Sequence, residues 1–475
     1  MRIKISCCLL FISLVFTDFC LAGVNATFGI GAKATALGGA FTAYVDDFSA
    51  MHYNPAGLSQ QKNHSVNLGL HVVDIDYEQK VTQKDATTYG PEPLDGTHSK
   101  NNSDLIYVPT FGMIYKPHDS KWTLAYGAYV PFGAHIWNNS HTANNRYSAA
   151  ESYNTRLIYA APTVSYQMMD NLSIGLSVGM GSTEEGYNIQ LRLPGLSAII
   201  PGFNGLARDI GSLVGDLEDN FTLSANVGLL WKALDNFTIG LTYRSEAHSK
   251  MEGHSTIKYT PTTLAILNAP VAAGGFGMNA PARKTFDTEL SFTHPQEVVL
   301  GFKFDVNDKW SLMSDVSWTD WSVRNKERFL FDGSPAIFAA TNQLGADNPA
   351  DALVVKRSWK DTYDFRIGTE YRPNAWLALR FGYHYRPCAI EEKYWDNNWP
   401  LTDYHVFSLG SGIKLSKSIS MDLAYSLAWC RDWDIENGES RNLTGDRLVY
   451  SSYAGDEVNV KTNIHNFMIN FSYAF

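Results

Sequence analysis

Hydrophobic and polar positions alternate one by one near the C-terminus. Over 462–475, large apolar residues fall on one face (Phe467, Ile469, Phe471, Tyr473, Phe475) and Asn466, Asn470, Ser472 and Ala474 on the other, with Met468 the exception. The run 419–430 repeats this, with Ile419, Met421, Leu423, Tyr425, Leu427 and Trp429 opposite Ser420, Asp422, Ala424, Ser426 and Ala428. Such alternation with aromatic residues near the ends is typical of a transmembrane β-strand.

Short polar turns precede alternating runs at six places: 118–121, 170–171, 235–236, 307–309, 373–374 and 416–418. Asn, Asp, Gly and Pro at such junctions mark β-hairpins. The connections between the hairpins are much longer. Short turns at one end and long loops at the other are typical of an outer-membrane barrel.

Six hairpins supply twelve strands, and one strand on either side makes fourteen. They are predicted at 64–79, 104–115, 122–132, 152–167, 171–182, 220–233, 237–249, 296–305, 310–320, 361–372, 375–386, 404–415, 419–430 and 462–475. An even number allows an antiparallel barrel to close without free edges. The sequence therefore predicts an all-β fold, a 14-stranded antiparallel transmembrane β-barrel over residues 61–475.

Composition agrees with a membrane barrel. Aromatic residues make up 13% of the chain, and after the first twenty residues no run approaches the ~18 apolar residues of a spanning helix. A large soluble all-β protein is the alternative, although its strands would seldom carry so many aromatic residues on one face. The net charge of −10 argues against nucleic acid as a partner.

Residues 1–22 have the form of a signal peptide. Arg2 and Lys4 begin it, an apolar core follows over 7–16, and cleavage is expected before Gly23. The mature chain then retains two cysteines, Cys388 and Cys430, which parity places in the lumen two strands apart. That distance is too long for a disulfide, so free thiols are predicted. No cysteine or histidine cluster suggests a metal, and no cofactor is expected.

The segment 23–60 lacks strand-like alternation and is rich in Gly and Ala. It contains the pair Gly38 and Gly39 and the corner Asn54-Pro55-Ala56. A fourteen-stranded barrel is too wide for its own side chains to fill. We therefore expect this segment to fold into the lumen as a plug.

The stretch FGIGAKATALGGAFTAYVDDFSAMHYNPAGLS over 28–59 resembles the N-terminal plug of the FadL/TodX family of outer-membrane transporters for long-chain fatty acids and other hydrophobic compounds. The stretches 130–133, 295–321 and 359–387 resemble the same family. The resemblance implies a fourteen-stranded barrel whose plug acts as a gate, with Gly38, Gly39, Asn54, Pro55 and Ala56 able to rearrange. A permanent stopper is the alternative.

Pro131, Phe132 and Gly133 lie at the outer end of the third predicted strand. Pro cannot donate to a ladder and Gly weakens one, so a kink is predicted. The family resemblance implies that this kink opens a lateral hole in the barrel wall. A strand simply ending in a loop is the alternative.

Two predicted outer loops, 183–219 and 250–293, are unusually apolar. Their candidate ligand-binding residues are Leu193, Leu196, Ile199, Ile200, Phe203, Leu264, Leu267 and Phe276. Exposed apolar patches usually mark binding surfaces. A capture surface for a hydrophobic ligand is predicted, and mutual packing of the two loops into a cap is the alternative.

Strand parity directs several charged residues into the lumen. Arg156, Arg366 and Arg380 are candidates to meet a ligand carboxylate. The alternative is a lattice of ion pairs that tethers the plug and compensates buried charge.

The sequence contains no GxSxG, HExxH or paired-cysteine motif, so no enzyme is predicted. The preferred hypothesis is a monomeric outer-membrane channel for passive, gated uptake of hydrophobic small molecules, fatty acids or aromatic hydrocarbons, released sideways into lipid. Its expected partners are the ligand, outer-membrane lipid and lipopolysaccharide, and the barrel-assembly machinery, for which the terminal Phe475 resembles the signal. A polar-solute porin, a lipid-directed barrel enzyme and an adhesin are the alternatives.

Overall fold

A computed structural model of the chain describes residues 29–83, 98–100, 105–137, 151–192, 209–343, 349–395, 402–430, 432–435 and 456–475. The predicted signal peptide and Leu193, Leu196, Ile199, Ile200 and Phe203 lie outside the described residues. No helix within the described ranges is long and apolar enough to cross a membrane.

β-Strands dominate the described chain. They are β1 (Ser65–Gln83), β2 (His98–Lys100), β3 (Ile106–Tyr115), β4 (Trp122–Trp137), β5 (Glu151–Ala160), β6 (Thr163–Met169), β7 (Leu172–Arg192), β8 (Asp209–Leu234), β9 (Phe237–Arg244), β10 (Ala247–Tyr259), β11 (Arg283–His294), β12 (Glu297–Asn307), β13 (Trp310–Thr319), β14 (Lys326–Phe331), β15 (Ala352–Lys356), β16 (Thr362–Tyr371), β17 (Leu377–Arg386), β18 (Tyr404–Lys414), β19 (Ile419–Cys430), β20 (Trp433–Ile435) and β21 (Asp456–Ala474).

Short helices lie at the N-terminus and in two outer connections. The α-helices are α1 (Ala32–Ala36), α2 (Ala50–Tyr53), α3 (Pro261–Asn268) and α4 (Ala336–Gln343), and the 3-10 helices are Pro55–Gln60, Val271–Ala273, Trp321–Val323 and Glu392–Tyr394.

The strands form one closed antiparallel ring. Each wall strand pairs with the wall strands before and after it along the chain, and β21 pairs with β1 over their full lengths. Six wall strands are interrupted and consist of β5 with β6, β9 with β10, β11 with β12, β13 with β14, β15 with β16, and β19 with β20. With β2, which pairs with β1, left out of the ring, the wall contains fourteen strands. The predicted fold class is confirmed, and tight connections join the strands at all six predicted turns.

The outer surface carries an apolar band between two rows of aromatic residues. On β13 and β16, Trp310 pairs with Tyr371 near the short turns, and Trp318 pairs with Tyr363 at the other end. Between them, Val316, Phe365 and Ile367 are exposed. Aromatic rows that flank an apolar band are the girdles of a transmembrane barrel.

Several strand boundaries differ from the prediction. The strand predicted at 152–167 is broken at Ala161 and Pro162, because proline cannot donate to the ladder. The strand predicted at 237–249 is likewise broken, between Arg244 and Ala247, and it continues to Tyr259.

The ranges 183–219 and 250–293 are not loops throughout. Strands β7 and β8 extend into the first range, and β10 and β11 extend into the second. Apolar and polar residues still alternate in these extensions, but here the apolar residues face the lumen and the polar residues face outward. On β8, Leu223 and Val227 face outward in the lower half, whereas in the upper half Leu213 and Leu217 face inward and Asp216 is exposed. One extra residue in β8 near Asp219 shifts the register and reverses the faces.

Residues 29–61, which we call the inner segment, are almost completely buried and pack against the inward faces of strands around the ring. Four pairs of glycines face each other across adjacent wall strands: Gly112 with Gly127, Gly175 with Gly228, Gly240 with Gly301, and Gly368 with Gly382. A Cβ atom at these positions would meet Phe48, Met51, Pro55, Asn54, Thr42 or Leu37 of the inner segment. We call these four pairs the glycine belt. It lets the wall backbone and the inner segment make direct contact.

Candidate functional site

Local backbone chemistry determines the path of the inner segment. Gly38 and Gly39 follow α1 with φ values of 64° and 77°, which side chains rarely tolerate. The Asn54 side chain accepts a hydrogen bond from the Ala56 amide, and Pro55 begins the 3-10 helix. Asn54 also donates to the carbonyl oxygens of Thr42 and Leu229, so this corner is joined to the wall.

Acidic wall residues hold the inner segment by its backbone and by Tyr44. Asp315 accepts hydrogen bonds from the Phe41 and Thr42 amides, both at 3.0 Å. The Tyr44 hydroxyl donates to Glu370 at 2.6 Å. A buried carboxylate with several donors is much less costly than an isolated one.

A charged cluster lies on the short-turn side of the inner segment. Lys33 pairs with Asp46 at 2.5 Å; burial opposes its charge, but Asp46 raises the pKa of Lys33 above its usual value. Arg380 pairs with Glu370 at 2.7 Å and with Asp422 at 2.5 Å. Arg380 is therefore part of an ion-pair lattice with two carboxylates.

A second charged cluster lies on the opposite side. Arg244 pairs with Glu297 at 2.6 Å and donates to the carbonyl oxygen of His52 at 2.9 Å. Arg366 also approaches Glu297, at 3.5 Å, and lies in the same lattice. Burial, with Arg244 next in effect, holds the pKa of His52 well below its usual value, so its imidazole is neutral.

A cavity of about 910 Å³, part of it open space, lies above this second cluster. Its floor carries charge from Arg244, Glu297, Asp364 and Arg386. Above it, inward-facing apolar residues form a continuous buried cluster, which includes Val130, Phe132, Leu213, Leu217, Phe292, Phe329, Trp359, Tyr404, Val406 and Ile464. The lumen is therefore polar near the inner segment and apolar in its outer half.

Arg156 lines this cavity and differs from the other arginines near it. It is 5% exposed, and its Nε and Nη2 atoms have no hydrogen-bond partner. Among the described residues it forms no ion pair. An unpaired buried guanidinium is costly, so its directed donors are suited to an oxyanion.

The barrel wall is incompletely paired beside the cavity. Pairing between β3 and β4 ends at Phe111 and Ala128, although both strands continue outward. β4 has one extra residue between Tyr129 and Phe132 relative to β5, which is a β-bulge at the predicted kink. Pro131 and Phe132 line the cavity at this point, and β4 itself continues through Gly133 to Trp137.

The described part of the predicted capture surface packs inward. Leu267 is 1% exposed, and Leu264 and Phe276 are half-buried against the apolar cluster. These three residues belong to a cover over the barrel, formed with α3 and α4. Val271, by contrast, is exposed.

Within the described part of the chain Cys388 and Cys430 form no disulfide; Cys430 is buried and Cys388 lines the cavity. No group of three or more candidate metal ligands occurs within the described ranges. Strand parity in the sequence directed Asp364 into the lumen, but sequence reasoning did not identify Arg244 or the glycine belt. Inward parity together with Gly–Gly pairing would have indicated the belt, whereas Arg244 becomes notable only through its contact with His52.

A closed antiparallel barrel with an apolar band and aromatic rows, enclosing its own N-terminal segment, defines the class of outer-membrane β-barrel proteins. The chain belongs to the outer membrane protein transport family (OMPP1/FadL/TodX), whose model matches residues 19–475. It is therefore an outer-membrane transport protein.

Comparisons with individual proteins agree with this family. An outer membrane protein of Neisseria meningitidis serogroup B is 24% identical over 431 residues, which are 87% of this chain and 88% of the relative. The crystal structure of a Pseudomonas aeruginosa FadL homologue has a TM-score of 0.74 at 18% identity, covering 97% of this chain and all of the other. The Ralstonia pickettii toluene transporter TbuX has a TM-score of 0.65 at 20% identity, covering 94% and 99%.

Proposed function

We propose that this protein is a passive, gated channel that takes up hydrophobic small molecules with an acidic headgroup, with long-chain fatty acids as the first class to test. The observation that carries the proposal is the cavity with an apolar roof in which Arg156 has unpartnered donors. The roof suits a hydrocarbon chain and the guanidinium suits a carboxylate. Neutral aromatic hydrocarbons are the second class, supported by the toluene transporter among the similar structures.

The proposed route avoids water. A ligand adsorbs at the outer surface, passes through the apolar outer half of the lumen and binds above the inner segment. It leaves sideways where β4 separates from β3, beside Pro131 and Phe132. The buried apolar cluster in the outer half of the lumen is closely packed, so its side chains must move apart for the ligand to pass. Movement of the inner segment at Gly38, Gly39 and the Asn54-Pro55-Ala56 corner stays a prediction.

The test compares four solutes in vesicles that contain the purified protein: a long-chain fatty acid, the corresponding alcohol, toluene and a sugar. Arg156→Met should weaken acid binding by roughly 10–100-fold, because a hydrogen bond to a charged group contributes about 1.5–3 kcal/mol. Binding of the alcohol should change little. Arg283→Met, which removes an exposed arginine, is the matched control.

Three outcomes would contradict the proposal. Sugar flux at porin rates would indicate an open pore. Equal loss of acid and alcohol binding in Arg156→Met would make Arg156 a structural residue. Ester cleavage by the pure protein would favour a barrel enzyme.

A further inference from the structure

The outer wall carries a small basic surface just beyond the outer aromatic row. It consists of Lys326 and Arg328 on β14 and Lys356 on β15, and all three side chains are exposed. We call these residues the basic surface. None of the three lines the cavity, so they have no part in the proposed ligand route.

Strand pairing fixes the height of this surface relative to the membrane. The outer aromatic pair is Trp318 with Tyr363. The pairing of these two strands stops at Thr319 and Thr362 and resumes further outward, where the Arg357 amide donates to the Asn325 carbonyl oxygen at 2.8 Å. Lys326 and Lys356 form the next pair. Lys326 and Lys356 lie eight and seven residues beyond this aromatic pair along the chain, so the basic surface is above the apolar band, on the side of the polar part of the outer leaflet.

The lysine pair is unfavourable without an anion. Like charges directly opposite each other on adjacent strands destabilise a sheet. Among the described residues, none of the three cations forms an ion pair. Lys356 lies over the Tyr394 ring at 5.3 Å.

Two acidic residues between the outer aromatic pair and the basic surface are held by other donors. Asp361 accepts from the Trp318 indole at 3.1 Å and from the Ser322 amide at 3.1 Å. Asp320 accepts from Gln296 at 2.9 Å and from the Ser322 hydroxyl at 2.7 Å.

We propose that Lys326, Lys356 and Arg328 bind the phosphorylated headgroup of an outer-leaflet glycolipid. The position just above the apolar band selects a lipid over a soluble anion, and the three cations provide the complementary charge. The phosphate would lie between the two lysines and relieve their repulsion. Arg328 would supply a planar set of donors to the same headgroup.

The test uses the purified full-length barrel in detergent and bis-phosphorylated lipid A as the probe. Lys326→Gln/Lys356→Gln should bind it about 30-fold more weakly, from ~1 kcal/mol for each cation near an anionic lipid surface. Native mass spectrometry measures the bound fraction during titration. Lys258→Gln/Lys284→Gln, with two exposed lysines near the outer ends of β10 and β11, is the matched control and should bind like the wild type.

Folding of each variant is checked by the heat-dependent gel shift of the barrel, so a misfolded protein cannot imitate weak binding. Dephosphorylated lipid A should bind with the reduced affinity of the double variant. Equal binding of both lipids, or an equal loss in the control variant, would overturn the proposal. Displacement of lipid A by millimolar inorganic phosphate would also overturn it, since the surface would then recognise a free ion.

Discussion

Gly382 lies where the wall and the inner segment are in direct backbone contact. A Cβ atom there would collide with Leu37 and Gly38. Gly382→Ala should therefore displace the inner segment, at a cost of about 1–3 kcal/mol for overpacking. We expect a lower unfolding temperature and higher ion conductance in planar bilayers. Gly333→Ala, whose Cβ atom would make only ordinary contacts, is the control; equal behaviour of the two variants would contradict the expected role of the belt.

His52 gives the inner segment a dependence on pH. Its pKa is well below the usual value because it is buried near Arg244. The unfolded residue takes up a proton near pH 6.5 and the folded one does not, so stability is present above about pH 6.5 and falls below it. The unfolding temperature of the wild type should drop between pH 7.5 and 5.5.

His52→Gln should reduce that drop, because the variant has no imidazole to titrate. His248→Gln, which changes an exposed histidine, should leave the drop unchanged. The same pH dependence in all three proteins would show that other groups are responsible.

At the residue level, strand parity alone was enough to predict which side chains point into the lumen. Parity placed Arg366 and Arg380 in the lumen, and both are buried there. Which arginine lacks an ion-pair partner could not be predicted from the sequence. The carboxylates that pair with Arg380, for example, come from two other strands, β16 and β19.

At the level of elements, the bulge in β4 is the feature with the clearest functional consequence. Deletion of Pro131 removes the extra residue that shifts β4 against β5. We expect β4 to pair with β3 further outward and the gap in the wall to close. Vesicle uptake of fatty acid should then fall at least tenfold, while ligand binding in detergent is retained.

A comparable bulge provides the control for this deletion. β12 has an extra residue at Val306, near the short turn to β13. Deletion of Val306 should leave uptake intact, because that bulge is remote from the cavity. Unchanged uptake after deletion of Pro131 would contradict lateral release.

The number of strands was predictable because each short turn carries its own Asn, Asp, Pro or Lys chemistry. Strand lengths were less predictable. Above the membrane, the outward residues become polar and the inward ones apolar, so the pattern around Leu213, Asp216 and Leu217 resembles an apolar loop in the sequence. The break at Pro162 was available from the sequence, since proline seldom occurs within a continuous strand.

For the whole molecule, the inner segment determines what can cross. Deletion of residues 23–60 should raise the conductance and the sugar permeability of the barrel, because the remaining lumen is too wide to close by side chains alone. Liposome swelling measures the sugar flux, and the heat-dependent gel shift verifies folding. An unchanged conductance would show that the inner segment is not the barrier.

The hydrogen bond between the Ala32 amide and Asn470 joins positions 438 residues apart, one on α1 and the other on the final strand. Contacts of such long sequence separation form late, because a very large loop must close first. The inner segment must therefore wait, without its final partners, until the last strand arrives. Biogenesis of this barrel thus depends on keeping a small, apolar, newly exported segment from aggregating while more than four hundred residues follow it.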